Sequence, residues 1–121
     1  MGRLRRKIDA ILVEWSANKE RMPLIIKGAR QIGKTEAISH FAGQHYQNVI
    51  AINFVLQKEY RSIFDDGYEV EAILRNISFL NPALKMEPGN TLIFFDELQE
   101  CPDCATSLKA FKLDGRYDVI C

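Results

Sequence analysis

The chain has 121 residues, enough for one domain with a core of its own. Apolar residues make up 47% and charged residues 26%, and 16 basic side chains stand against 16 acidic ones, so no overall charge draws the chain to nucleic acid or to a membrane. No stretch has the length of a membrane span or the form of a signal peptide, and three cysteines make a poor disulfide framework, so a reducing cytoplasm is the expected location.

Apolar residues at Leu4, Ile8, Ile11, Leu12 and Trp15 fall at helical spacing and predict an amphipathic helix from Arg3 to about Lys19. Its start, "GRLRRK", is basic; a solvated helix end accounts for that charge more simply than a nucleic-acid contact does. Pro23 resets the chain for a short buried strand, Leu24 to Lys27. After a glycine-containing stretch, Ala37, Ile38, Phe41 and Ala42 mark a second helix beginning near Lys34. "NVIAINFV" is almost continuously apolar and predicts a strand buried on both faces.

"EYRSIFDDGYE" predicts a helical turn and a loop at Asp66-Gly67. Val70, Ile73, Leu74, Ile77 and Leu80 form a helical stripe that ends in "NPALKMEPGN". "TLIFFDE" is the next strand, a helix follows over about Asp103 to Lys112, and "YDVIC" is the last strand. Strands alternating with helices predict an α/β fold with a mostly parallel sheet and helices on both faces. The whole reads as one domain, an N-terminal helix over residues 1–20 and a core over 23–121.

The stretch "GARQIGKT", Gly28 to Thr35, fits G-x-x-x-x-G-K-[ST], between a predicted buried strand and a predicted helix. Gly28 and Gly33 allow the backbone of Ala29, Arg30, Gln31 and Ile32 to wrap so that successive N–H groups point at phosphate oxygens. The helix start at Lys34, Thr35 and Glu36 adds its positive dipole end to the same place. Lys34 is the candidate for the β- and γ-phosphates, and the Thr35 hydroxyl the candidate ligand for Mg²⁺. Arg30 suits a phosphate contact or a surface ion pair equally well.

In "TLIFFDE" the apolar run Leu92 to Phe95 is followed by two carboxylates at the C-terminal end of the strand, where parallel sheets bind ligands. Asp96 is the candidate to hold Mg²⁺ and Glu97 the candidate to orient or deprotonate an attacking water. The second acid, and the lack of an N-K-x-D guanine signature, favour ATP and its hydrolysis. The implied cofactors are ATP and Mg²⁺, with Lys34 and Glu97 as the catalytic residues and Thr35 and Asp96 at the metal.

"KIDAILVEW", "PLIIKGARQIGKTEAI", "FFDELQECP" and "LKAFKLDGRYDVIC" together resemble the N-terminal portion of prokaryotic AAA-type ATP-binding proteins that carry a C-terminal domain of unknown function. The resemblance implies the three-layer α/β/α fold of P-loop NTPases. It also implies that such a chain ends after the fourth core strand, short of a polar residue near the γ-phosphate, a lid and the C-terminal domain. Binding is therefore expected more firmly than turnover, and self-association or pairing with the absent domain is a further expectation. Two alternatives stand beside it, a nucleotide-binding module without hydrolysis and a DNA-associated ATPase.

Weaker signals remain. Asn53, at the end of "VIAIN", resembles the polar residue that restrains the catalytic glutamate in some AAA-type ATPases, or else makes a strand-end hydrogen bond. "CPDC" sets Cys101 and Cys104 at metal-ligand spacing with Cys121 as a third, but packing of Cys104 in the following helix is the simpler reading. His40 and His45 are expected as exposed helix residues.

Overall fold

A computed structural model describes residues 7–26 and 34–121, and of Lys7 and Lys34 the backbone alone. The elements in order are α1 (Lys7–Ala17), α2 (Lys34–His45), β1 (Asn48–Asn53), a 3-10 helix (Lys58–Phe64), α3 (Val70–Leu80), β2 (Thr91–Asp96), a 3-10 turn (Leu98–Glu100), α4 (Pro102–Asp114) and β3 (Asp118–Ile120).

The named strands form a parallel sheet in the order β1-β2-β3, with Asn53 opposite Asp96 and Ile93 opposite Val119. The expected strand over Leu24 to Lys27 is reduced to a parallel bridge between Leu24 and Ile120, and Lys27 lies outside the described residues. The bridge is well bonded all the same. Leu24 N–H donates to the Val119 carbonyl at 2.9 Å, Ile26 N–H to Cys121 at 2.8 Å, and Cys121 N–H returns to Leu24 at 2.9 Å.

Alternation along β2 divides the core. Leu92 and Phe94 join Ile120, Leu12 of α1 and Ile38, Phe41 and Ala42 of α2 in one buried cluster. Ile93 and Phe95 join Ile50, Ile52, Phe54, Ile73, Ile77, Phe111 and Val119 in another. Phe95 sits at the centre of the second, stacked on Phe54 at 5.7 Å between centroids and edge-on to Phe111 at 6.0 Å. Ring pairs of this kind add about 1 kcal/mol each beyond the area they bury.

The helices follow the predicted stripes with local departures. α3 buries Val70, Ile73, Leu74 and Ile77, one face at three- and four-residue spacing. Ile11 of the α1 stripe is 41% exposed, because only Leu12 of that helix is fully buried against the sheet. β1 was expected to be buried on both faces, yet only Ile50 and Ile52 are, while Val49 and Ala51 are exposed. β1 is the edge strand and supplies no residue to the cluster under α1 and α2. The strand also stops at Asn53 rather than Val55, because the Asn53 Oδ1 accepts the N–H groups of Val55 at 2.9 Å and Leu56 at 3.0 Å and turns the chain.

At the opposite end of the sheet, one carboxylate joins three segments. Asp118 Oδ2 accepts from Arg21 at 2.8 Å and from the Tyr46 hydroxyl at 2.6 Å. Burial, and then the bond to Asp118, push the Tyr46 phenol well above its ordinary pKa. Arg21 also lies over Trp15, whose indole N–H donates to the Met22 carbonyl at 2.7 Å. This staple holds the residues after α1 in place ahead of the Leu24 bridge.

Candidate functional site

The C-terminal ends of β1 and β2 and the first turn of α2 meet at Asp96. Apolar burial dictates the position. Leu92 to Phe95 are all buried, so β2 runs through the middle of the sheet and delivers the next residue at its edge, half-buried. Thr35 lies in the opening turn of α2, which Ala37 and Ile38 anchor to the core two and three residues later.

The Asp96 carboxylate gathers three hydrogen bonds: from the Thr35 hydroxyl to Oδ2 at 3.2 Å, from the Asn53 Nδ2 to Oδ2 at 3.5 Å, and from the Glu97 N–H to Oδ1 at 2.9 Å. The sheet itself contributes the Phe54 N–H, which donates to the Asp96 carbonyl at 3.2 Å. A hydroxyl and a carboxylate side by side are hard oxygen donors, the set that suits Mg²⁺.

Glu97 is half-buried and takes a left-handed conformation, φ 60 and ψ 49. Among the described residues it is the one non-glycine residue at positive φ. Such a position costs roughly 1–2 kcal/mol for a residue with a Cβ. The bond from its N–H to the preceding carboxylate and its carbonyl's acceptance of the Glu100 N–H at 3.0 Å offset part of that cost. Backbone strain of this kind concentrates at functional sites.

Of the residues singled out in the sequence, the structure brings Thr35, Asn53 and Asp96 together, with Glu97 next to them in the chain. Gly28, Ala29, Arg30, Gln31, Ile32 and Gly33 lie outside the described residues, as does the Lys34 side chain, although the Lys34 backbone opens α2. Glu36 is exposed in the same turn. Asn53 makes the expected strand-end bonds, and its amide reaches the aspartate.

Two contributors were not read from the sequence. Gln57 brackets Asn53, its Oε1 accepting the Asn53 N–H at 3.0 Å while its own N–H donates to the Asn53 carbonyl at 2.8 Å. Arg61 places Nε at 3.1 Å and Nη2 at 3.0 Å from the Phe54 carbonyl. The spacing N-x-x-x-Q was the available signal for the first; nothing local marks the second.

The cysteines take no part in this cluster. Cys101, Cys104 and Cys121 are buried free thiols, and Cys104 packs inside α4. Desolvation raises the pKa of both Cys101 and Cys104. No group of three or more metal-ligating side chains is assembled among the described residues. His40 and His45 are exposed on α2, with His45 against the Phe41 ring at 4.4 Å.

A parallel α/β sheet whose C-terminal edge joins a hydroxyl to a carboxylate, directly after a phosphate-loop pattern, defines a nucleotide-binding domain of the ATPase type. The chain belongs to the AAA domain family, whose model matches residues 20–121. No curated protein and no solved structure matches it. Among the described residues, no helix is long and apolar enough to cross a membrane.

Proposed function

We propose that the chain binds Mg·ATP and hydrolyses it to ADP and phosphate. The contact between Thr35 and Asp96 carries the proposal, because it unites the end of the "GARQIGKT" pattern with the acid after "TLIFF", which the sequence separates widely. The reading extends the parallel sheet to the P-loop arrangement, with residues 24–27 as its fourth strand and helices layered on both faces. The AAA domain family supports it.

Thr35 and Asp96 would hold Mg²⁺, which when bound neutralises charge on the phosphate oxygens. The N–H groups of residues 28–34 cradle the phosphates, with Arg30, Gln31 and Glu36 at the margin of the cradle, and Lys34 supplies a point charge to the β- and γ-phosphates. Glu97 accepts a proton from water as the water oxygen bonds to the γ-phosphorus. The bond from that phosphorus to the bridging oxygen breaks, and ADP leaves with the electron pair. The left-handed backbone sets the direction in which Glu97 leaves the strand, which a regular strand residue would not share.

Calorimetric titration with Mg·ATP, beside Lys34→Ala, is the test. Saturable binding that Lys34→Ala abolishes supports the site; absence of binding by a folded parent refutes it. Single-turnover phosphate release then decides on hydrolysis, and binding without release makes the chain a nucleotide-binding module.

A further inference from the structure

The turn that leaves β1 is held more tightly than a surface turn requires. Phe54 has its side chain fully buried against Phe95 and its N–H bound to the Asp96 carbonyl. Its own carbonyl, which faces away from β2, is chelated by two nitrogens of Arg61 at 3.1 and 3.0 Å. The same guanidinium lies 3.9 Å from Glu100, in the 3-10 turn that follows Glu97. Asn53, immediately before Phe54, sends its amide to Asp96, while its Oδ1 is occupied by the Val55 and Leu56 N–H groups.

We propose that Arg61 is a positioning residue for the nucleotide site, clamping the turn after β1 against the turn after β2 so that Asn53 stays directed at Asp96. The proposal rests on the nucleotide reading above for its functional consequence, and on geometry alone for the clamp. The logic is mechanical. The Asn53 amide is at the long end of hydrogen-bond distance from Asp96, 3.5 Å, so a small rotation of the 53–54 peptide breaks the contact. Two N–H donors in a planar fork fix both the direction and the distance of the Phe54 carbonyl, which a single ammonium cannot do. The Glu100 contact is exposed and long, and contributes little beside the carbonyl clamp. Leu56, 81% exposed at the tip of the same turn, is not held by burial, so the polar bonds carry the turn's order.

The test compares Arg61→Ala, Arg61→Lys and Glu100→Gln with the parent. In the nucleotide-free chain, amide hydrogen exchange at Val55 and Leu56 should accelerate about tenfold in Arg61→Ala, which corresponds to about 1.4 kcal/mol of local opening. Exchange in α3 and β2 should stay unchanged, and Arg61→Lys should recover part of the protection. Glu100→Gln should resemble the parent. With Mg·ATP, the affinity of Arg61→Ala should stay within about twofold while single-turnover phosphate release slows about fivefold. Unchanged exchange at Val55 and Leu56 overturns the clamp. Exchange that rises equally throughout the chain, with affinity and turnover falling together, reduces Arg61 to a structural residue and also overturns the proposal. If the folded parent binds no Mg·ATP, the nucleotide reading fails by itself, and the exchange measurement still decides whether Arg61 orders the turn.

Discussion

The Thr35 hydroxyl donates to Oδ2 of Asp96 at 3.2 Å across 61 residues of sequence. The bond links the first turn of α2 to the end of β2, and it makes Asp96 a junction rather than a solvated strand end. Asn53, from the neighbouring strand, adds its amide to the same oxygen. Removing the charge of Asp96 while keeping its shape should therefore separate structure from ligand binding.

Asp96→Asn keeps an acceptor for the Thr35 hydroxyl and the Glu97 N–H, so the fold should survive. Mg·ATP affinity should fall about tenfold or more, because the metal loses its anionic ligand. Titrations with magnesium and with a chelator would show it: a variant as tight as the parent in magnesium removes Asp96 from the metal.

Glu97 combines strain with a proposed chemical role, and three variants separate the two. Glu97→Gly should be about 1 kcal/mol more stable than Glu97→Ala, since only glycine adopts the left-handed conformation without a Cβ penalty. Glu97→Gln should bind Mg·ATP like the parent. All three should release no phosphate in a single turnover. Hydrolysis by Glu97→Gln at the parental rate would assign the water-orienting role elsewhere.

Phe95→Ala should cost about 3–5 kcal/mol, a large part of a small domain's stability, because the ring touches Phe54, Phe64 and Phe111 and is fully buried. Urea unfolding followed by circular dichroism measures it. A loss below about 1 kcal/mol would mean that this side of the sheet is not packed as described.

Tyr46→Phe removes the hydroxyl bonded to Asp118 and should cost about 1 kcal/mol at neutral pH. The folded state holds the phenol's pKa above the unfolded value, with burial the larger cause, so the protonated form is the one that folding favours. Its contribution is whole below the unfolded value of about 10 and is lost as the pH rises through the folded one. The parent and Tyr46→Phe should therefore converge in stability above about pH 10, measured by urea midpoints across the alkaline range. A gap between them that stays constant across that range would contradict the linkage.

Much of this protein was legible in its residues. Periodicity placed α3 and α4 within a few residues of their observed limits, because each buries one stripe and ends at a turn or at Gly115. The apolar run Leu92 to Phe95 identified the central strand and put its acids at the ligand-binding end, since a strand buried on every residue must lie inside a covered sheet. The "GARQIGKT" pattern named a chemistry on its own.

What composition and spacing could not decide was which strands are neighbours. β1 looked buried on both faces, but its place at the edge left Val49 and Ala51 in solvent. Ile11 fitted the apolar stripe of α1, yet the crossing of that helix over the sheet buried Leu12 instead. Gln57 and Arg61 carried no local signal, because their partners are backbone groups whose direction exists only once the strand has turned. Pattern along a chain reports which side chains avoid water. The meeting of Thr35, Asn53 and Asp96 depended on strand order and register, which long-range packing alone selects.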